Sequence, residues 1–228
     1  MVVCLLGILI SGGLYYISVK EYSIGNDAYL QLQELIDDQQ SLSDEDYFTG
    51  LSDVNNELVG WISLKDTMID YPLVQTDDNE YYLTHIFTKE KNKLGTLFID
   101  YRNNADLSDK NTIIYGHNMH DGSMFAALLN YTEQAFYDQH PIIDLTIGRD
   151  KYQILVFAGV LTDGYNDYAK QSFNDGEFVK YINEMIDLST FKSDVTINED
   201  DQIVTLSTCW YNIENGRYAL FGKLVPID

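Results

Sequence analysis

The sequence predicts a mostly-β fold, namely one closed β-barrel with a helix at its N-terminus and further helices on its periphery. Short strand-like segments separated by turns recur from residue 58 to the end of the chain. Helical patterns interrupt them at only two or three places, and no internal repeat or domain-sized linker divides them. With 228 residues, 45% of them hydrophobic and 13% aromatic, the chain is long enough to enclose one good-sized core.

The N-terminal residues form an almost uncharged run from Met1 to Val19. As a helix, this run spans roughly 28 Å, which is close to the hydrocarbon thickness of a bilayer. We therefore predict an uncleaved signal anchor at residues 1–20, which makes the chain a single-pass protein of the cell membrane with its remainder outside. A cleaved signal peptide and a buried core helix are the alternatives. No Lys or Arg precedes the run, so the charges alone do not fix its orientation.

Residues 21–56 are predicted to form an N-terminal helix and a linker, and residues 57–228 one barrel domain. An amphipathic helix is expected at about 26–40, and the acidic, Ser-rich stretch 37–56 is typical of a linker. The remaining pattern predicts strands at 58–64, 68–74, 95–100, 111–115, 142–147, 152–161, 202–209 and 217–225, and helices at 124–137 and 178–186.

The composition argues against two classes of partner and against a metal. There are 36 acidic and only 14 basic residues, which gives a net charge of -22. Nucleic acid and anionic lipid surfaces both attract clustered Lys and Arg, so we expect no nucleic-acid partner. The two cysteines, Cys4 and Cys209, lie far apart, and no Cys/His cluster has zinc-ligand spacing. We therefore predict neither a disulfide framework nor a structural metal.

The strongest candidate for chemistry is Cys209, a thiol at the point where the predicted strand 202–209 meets a polar loop. Arg217 begins the next predicted strand, so these two residues form the closing pair of an antiparallel hairpin. Opposed residues lie about 4.5–5.5 Å apart at Cβ and project to one face, so the guanidinium can donate to an oxyanion formed when the thiol attacks a carbonyl. A buried structural cysteine and a surface salt-bridge arginine are the alternatives.

A cysteine acyl-transfer site also needs a general acid and base, and His117 is the candidate for this role. It ends the strand-like segment 113–117, directly after Gly116, which lets the backbone bend or approach closely. Asn118 follows and is able to orient the imidazole. The sequence leaves three competitors, His85, His120 and His140, whose neighbours suggest less chemistry.

Together these segments resemble the sortases, the cell-surface cysteine transpeptidases of Gram-positive bacteria. The stretch Thr205-Leu206-Ser207-Thr208-Cys209, with Arg217 downstream, resembles their Thr-Leu-x-Thr-Cys…Arg signature. The segment 114–125 resembles the histidine region of the class B members. Supporting matches lie at 59–62, 69–75 and 79–83, so the resemblance covers about residues 58–224.

The resemblance implies a closed eight-stranded barrel and a cysteine transpeptidase that uses no metal or other cofactor. Cys209 is then the nucleophile, His117 the general acid and base, and Arg217 the group that stabilises the oxyanion and the bound substrate. Substrate-binding residues are expected at Ser207, Thr208, Asn118 and Tyr115.

The implied reaction cleaves the C-terminal sorting signal of a surface protein after Thr and forms a thioacyl enzyme. An amine of peptidoglycan or of its lipid-linked precursor then resolves this intermediate. The expected partners are these surface proteins, the amine acceptor and, through the N-terminal anchor, the membrane. Three alternatives stay open: a class B sortase that polymerises pilins through a Lys acceptor, a hydrolytic cysteine peptidase, and a non-catalytic surface domain. The joint presence of all three catalytic residue types opposes the last.

Overall fold

Eight strands form a closed barrel in the part of the chain that the computed structural model describes, which is residues 2–39, 50–165 and 167–227. They are β1 (Leu58–Ser63), β2 (Asp70–Val74), β3 (Leu97–Ile99), β4 (Asn111–Tyr115), β5 (Ile142–Ile147), β6 (Asp150–Asp163), β7 (Ile203–Cys209) and β8 (Gly216–Ile227). The order around the barrel is β1-β2-β3-β4-β7-β8-β6-β5. The prediction of a mostly-β fold with a closed barrel is confirmed.

Two of the barrel contacts are parallel. β2 pairs with β3 and β4 pairs with β7 in parallel, whereas the other neighbouring strands are antiparallel. The chain between β4 and β7 makes a long crossover that contains β5 and β6. Because parallel strands run in the same direction, the C-terminal ends of β4 and β7 lie at the same edge of the barrel. This edge carries the candidate site.

Apolar side chains from different strands fill the barrel interior. Ile62, Leu73, Ile114 and Leu206 belong to one core cluster, and none of them is more than 1% exposed. Their removal from water stabilises the fold by about 1.5–3 kcal/mol for each side chain. The core therefore supplies the rigid support from which the ends of β4 and β7 project.

The N-terminal helix α1 (Val2–Gln39) is one unbroken helix, whose second half packs on the barrel. Tyr29 and Leu32 are buried in the main core. The Tyr29 hydroxyl donates to the carbonyl oxygen of Gly95 at 2.6 Å. The helix predicted from residue 26 is thus the C-terminal part of a longer helix, since α1 continues through Gly25 and no proline separates the two segments.

The prediction of a membrane anchor at residues 1–20, and with it of a single-pass location in the cell membrane, is wrong. Within the described ranges, no helix is long and apolar enough to cross a bilayer. Where the side chains of α1 are described, exposed Ser11, Gly12 and Gly13 are soon followed by the charged residues Lys20 and Glu21.

The predicted linker at 37–56 is described only in part. Residues 40–49 lie outside the described ranges, and residues 50–54 are helical. Leu51 in this short helix is buried in the main core. The division into residues 1–20, 21–56 and 57–228 stays a prediction.

The peripheral helices lie in the connections between strands. They are the 3-10 helices Tyr81–Leu83 and Ala126–Thr132 and the α-helices α2 (Gln134–Gln139) and α3 (Glu177–Asp187). The single helix predicted at 124–137 is wrong, because Met124 has a φ of 55° and Glu133 is extended, with a φ of -108° and a ψ of 124°. These two residues interrupt the helical path that the apolar spacing suggests.

Helix α3 covers the outer face of the barrel. Its residues Phe178 and Ile182, one helical turn apart, are buried in a second core cluster together with Phe157 of β6 and Phe221 of β8. The helix predicted at 178–186 is confirmed with nearly the same bounds. The helix therefore packs against β6 and β8.

Candidate active site

The final hairpin brings Cys209 and Arg217 together. β7 and β8 are antiparallel, and Cys209 is the register partner of Arg217, as the spacing of the two residues predicts. The loop between them is closed by a hydrogen bond from the Trp210 N–H to the carbonyl oxygen of Gly216 at 2.9 Å. A Cβ atom at position 216 would lie 2.2 Å from the carbonyl oxygen of Trp210. Glycine is therefore needed for the tight loop that fixes this pair.

The parallel pairing of β4 with β7 brings His117 to the same place. Tyr115 is the register partner of Ser207. The Gly116 N–H then donates to the Ser207 carbonyl at 3.1 Å, and the Thr208 hydroxyl donates to the Gly116 carbonyl at 2.8 Å. These two hydrogen bonds extend the contact with β7 by one residue beyond the end of β4. His117 consequently follows directly on a segment that is held against the end of β7.

A backbone carbonyl orients the imidazole of His117. Its Nε2 atom lies 2.7 Å from the carbonyl oxygen of Leu83, the last residue of the 3-10 helix Tyr81–Leu83. Because a carbonyl oxygen only accepts hydrogen bonds, Nε2 carries the proton and Nδ1 is the nitrogen that remains for proton exchange. The sequence does not signal this partner, because any residue type supplies a carbonyl.

The absence of a side chain at Gly95 provides the space that the His117 ring occupies. It has a φ of +63°, and a Cβ atom there would lie 2.5 Å from the Tyr82 carbonyl oxygen and 3.0 Å from Cδ2 of His117. The left-handed backbone and the close approach both require glycine at this position. The segment from Tyr81 to Gly95 thus forms one side of the histidine site.

The candidate site residues line one cleft with a volume of about 370 Å³. Six of the seven predicted site residues contribute to it, namely Cys209, His117, Arg217, Ser207, Thr208 and Tyr115. Cys209 is partly exposed and its thiol is free. The cleft therefore joins an accessible thiol, an imidazole and a guanidinium, which is the set of groups that cysteine acyl transfer needs.

The hydroxyl groups of the predicted substrate-binding residues already have partners within the protein. The Ser207 hydroxyl lies 3.0 Å from the Tyr168 hydroxyl, and both side chains are buried. Thr208 is bound to Gly116, as described above. Asn118, the seventh predicted residue, lies beside the cleft and donates its amide to the carbonyl oxygen of Cys209 at 2.9 Å.

Tyr115 is held by a charged pair behind the cleft. Its hydroxyl donates to the fully buried carboxylate of Asp100 at 3.0 Å. Nε and Nη2 of Arg102 donate to the same carboxylate at 2.9 and 2.7 Å. Burial by itself raises the pKa of Asp100, but the hydrogen bonds from Arg102 and Tyr115 outweigh it, and the pKa is lowered. Burial and the nearby negative charge raise the pKa of Tyr115, which therefore stays a donor.

The cleft also contains residues that the sequence analysis did not identify. Asn79, Leu83, Phe98 and Tyr168 line it. The first two lie in the family-like segment 79–83, which offers the only signal that could have found them. The loop after β6, which supplies Tyr168, has no distinctive pattern.

The competing histidines lie elsewhere. His85 stacks on the ring of Tyr81 with 4.0 Å between the ring centroids, and His140 packs against Phe136 at 4.3 Å. His120 is exposed in the loop after β4. Among the described residues, no group of three or more His, Cys, Asp or Glu side chains is arranged to hold a metal ion.

Two curated relatives resemble the chain in sequence. Sortase B from Listeria monocytogenes is 42% identical over 185 residues, which cover 79% of this chain and 74% of that protein. Sortase B from Staphylococcus aureus is 35% identical over 184 residues, which cover 79% of this chain and 75% of that protein. No protein-family model matches the chain.

Solved structures resemble the chain over nearly its whole length. A complex of Staphylococcus aureus sortase B with substrate has a TM-score of 0.82 at 32% identity and covers 92% of this chain and 98% of its own. Sortase B from Bacillus anthracis, in complex with AAEK1, has a TM-score of 0.82 at 33% identity and covers 92% and 100%. Sortase B complexed with triglycine has a TM-score of 0.81 at 32% identity and covers 92% and 99%. The similarity therefore includes most of the barrel.

Proposed function

The chain belongs to the class B sortases and is a cysteine transpeptidase, and from this premise we propose that Cys209, His117 and Arg217 carry its chemistry. One observation supports this assignment above all. The accessible thiol, the imidazole and the guanidinium line the same cleft, at the edge where β4, β7 and β8 meet. Each group fills one of the roles that acyl transfer through a cysteine requires.

The first half of the reaction forms a thioester. The thiolate of Cys209 attacks the carbonyl carbon of the scissile peptide bond, and the electron pair of the C=O bond moves to the oxygen. Arg217 donates hydrogen bonds to this oxyanion. The tetrahedral intermediate then breaks its C–N bond, and protonated His117 gives its proton to the leaving amine.

The second half transfers the acyl group. An acceptor amine attacks the thioester carbonyl, and neutral His117 takes the proton that the amine loses. The new intermediate expels the Cys209 thiolate and leaves an amide bond. His117 uses Nδ1 in both halves, because its Nε2–H is bound to the carbonyl oxygen of Leu83 at 2.7 Å.

We extend the proposal to the substrates. The acyl donor is the C-terminal sorting signal of a surface protein, cleaved after Thr, and the acceptor is an amine of peptidoglycan or of its lipid-linked precursor. Two observations on relatives support this: one structure of Staphylococcus aureus sortase B is a substrate complex, and another sortase B structure holds triglycine, whose N-terminus is an amine. We keep Tyr115, Ser207 and Thr208, which line the cleft, as the proposed peptide contacts within this chain.

The test is to incubate the full chain with sorting-signal peptides, with and without triglycine, and to identify the products by mass spectrometry. We expect a product in which the fragment ending in Thr is joined to triglycine. Hydrolysis alone with every amine tried would instead support a cysteine peptidase. His117→Ala should lower product formation by about 10²–10⁴-fold. The control His140→Ala, which changes a histidine that packs against Phe136 outside the cleft, should leave it within about twofold of the unaltered chain.

A further inference from the structure

Two reciprocal hydrogen bonds connect the loop of the imidazole with the loop of the thiol. The side-chain amide of Asn118 donates to the backbone carbonyl oxygen of Cys209 at 2.9 Å. The hydroxyl of Tyr211 donates to the backbone carbonyl oxygen of Asn118 at 3.1 Å. Each loop therefore supplies one side-chain donor and one backbone acceptor, and the two bonds close a ring between residues 118 and 209–211.

These bonds begin where the strand pairing ends. β4 and β7 are paired up to Tyr115 and Ser207, and the bonds of Gly116 extend the contact by one residue. Beyond Gly116 the chain turns back on itself, since the His117 carbonyl accepts from the Phe125 N–H at 2.8 Å. The position of His117 relative to Cys209 is thus not fixed by the sheet ladder. The two hydrogen bonds of Asn118 connect the segment after Gly116 to the segment after Ser207, where the strand pairing has ended.

The chemical properties of both donors suit a permanent connection. An Asn amide donates at every pH at which the protein is folded, and it has no charge that would disturb the thiol. Partial burial and the neighbouring Cys209 side chain raise the pKa of Tyr211, so its hydroxyl also keeps its proton. Tyr211 is 61% exposed, which makes its bond the weaker of the two.

We propose that Asn118 is a positioning residue that sets the position of His117 relative to Cys209 and that Tyr211 holds Asn118 in place. This inference rests on the catalytic roles proposed above. It replaces the predicted contact of Asn118 with substrate by a contact with the nucleophile's own backbone. A displacement of about 1 Å between reacting groups lowers a rate by up to about 100-fold. Loss of the amide should therefore affect turnover more than substrate binding.

The first test separates kcat from KM. Asn118→Ala should lower kcat by about 10- to 100-fold and change KM by less than about threefold. Tyr211→Phe should lower kcat by a smaller factor, because its bond is exposed. The controls are Asn26→Ala, which removes an exposed side-chain bond to Asp121, and Tyr101→Phe, which alters a half-exposed tyrosine outside the cleft. Both controls should stay within about twofold of the unaltered chain. An unchanged kcat in Asn118→Ala would overturn the proposal.

A second variant tests whether the donated hydrogen is the property that matters. In Asn118→Asp the carboxylate faces the Cys209 carbonyl without a proton at neutral pH, and it regains a donor when it is protonated. Asn118→Ala keeps the other titratable and charged groups, namely His117 and Tyr211 together with the groups that face Tyr211, which are Cys209, Tyr22, Arg217 and His120. The ratio of the two rates therefore isolates the carboxyl group. The rate of Asn118→Asp divided by that of Asn118→Ala should rise as the pH falls toward about 4, the ordinary pKa of Asp. A ratio that is constant with pH contradicts the role of the donor.

A third measurement needs no peptide substrate and so separates this inference from the proposed function. The rate at which iodoacetamide alkylates Cys209 is recorded against pH for the unaltered chain, His117→Ala and Asn118→Ala. If Asn118 holds the imidazole beside the thiol, the profile of Asn118→Ala moves from that of the unaltered chain toward that of His117→Ala. A profile that coincides with that of the unaltered chain overturns the positioning role, whatever the peptide assay gives. A chain that processes no peptide, yet has the shifted profile, contradicts the proposed function and supports the positioning role.

Discussion

At the scale of single residues, backbone geometry sets the positions of the side chains that are proposed to be catalytic. Cys209 and Arg217 are opposed because β7 and β8 pair in one register across a loop that only glycine at position 216 permits. His117 is oriented by the carbonyl oxygen of Leu83. The reactive groups are therefore supported by parts of the chain that lie far apart in sequence. Substitutions at these supports should change the chemistry as well as the stability.

Arg217 tests whether the shape of the cation matters in addition to its charge. Arg217→Lys keeps the positive charge but loses the planar fork that directs two N–H groups at one oxygen. We expect kcat for a sorting-signal peptide to fall by about 10²–10³-fold. Arg149→Lys, at the exposed turn between β5 and β6, is the matched control and should have no effect. Near-normal turnover in Arg217→Lys would make Arg217 a residue of structure rather than of catalysis.

Gly95 and Gly148 form a matched pair that separates backbone strain from contact with His117. Both have positive φ angles, +63° and +56°, but a Cβ atom at Gly95 meets Tyr82 and His117, whereas one at Gly148 meets nothing within 4 Å. Gly148→Ala should cost about 1 kcal/mol in the free energy of unfolding and leave kcat unchanged.

Gly95→Ala should cost more and also lower kcat, because the added methyl group pushes against the imidazole. Urea unfolding and peptide turnover measure the two effects. Equal losses of stability in both variants, with equal turnover, would mean that the room beside His117 has no influence on the site.

The sequence predicts the pairing of Cys209 with Arg217 but not the groups that support the residues of the cleft. The pairing of Cys209 with Arg217 followed from a short loop between two strand-like segments, and this prediction is confirmed. The hydrogen bond from His117 to the carbonyl oxygen of Leu83 could not be predicted, because every residue type has a main-chain carbonyl. Tyr168 was missed for a related reason, since its contact with Ser207 joins residues 39 positions apart.

At the scale of secondary-structure elements, the ends of β3 and β4 are joined by the buried carboxylate of Asp100. It accepts hydrogen bonds from Tyr115 at the end of β4 and from Arg102 in the turn after β3. This connection fixes the aromatic residue that lines the cleft. It also makes the stability of the site depend on the charge of one buried group.

The lowered pKa of Asp100 predicts a specific loss of stability in acid. Because the carboxylate is favoured in the folded state, its contribution is fully present above its ordinary pKa of about 4 and is lost as the pH falls through the lower folded value. Asp100→Asn should lower the free energy of unfolding by about 1–3 kcal/mol at pH 7. The difference from the unaltered chain should shrink below about pH 4.

Urea unfolding at several pH values between 7 and 3 measures this difference. Asp53→Asn changes an exposed aspartate in the helical residues 50–54 and serves as the control. A deficit in Asp100→Asn that is the same at every pH would show that its ionisation does not contribute to folding.

The elements differ in how far the sequence predicts them. Strands and hairpins follow from side-chain alternation and turn residues, which act over a few positions. The parallel pairing of β4 with β7 could not be predicted in this way, because residues 116–202 lie between them. The split of the predicted helix 124–137 depends on the backbone angles of Met124 and Glu133, neither of which is a typical helix breaker.

At the scale of the whole molecule, barrel closure brings distant segments to one edge. The segment after β4 supplies His117, and β7 and β8 supply Cys209 and Arg217. The 3-10 helix Tyr81–Leu83 supplies the partner of the imidazole. The resemblance to class B sortases, carried by segments from residue 58 onward, is confirmed by relatives at 42% and 35% identity. The N-terminal prediction was wrong, since no helix in the described part of the chain is long and apolar enough to cross a bilayer. Helix α1 continues to Gln39, and its second half packs on the barrel.

The most direct test of the catalytic account is to trap the acyl enzyme. The full chain is mixed with a sorting-signal peptide in the absence of an amine, quenched in acid, and analysed by intact mass and peptide mapping. The account predicts an adduct equal to the peptide fragment ending in Thr, attached to Cys209, absent from Cys209→Ala and discharged by triglycine. An adduct on another residue, or cleavage that persists in Cys209→Ala, would contradict it.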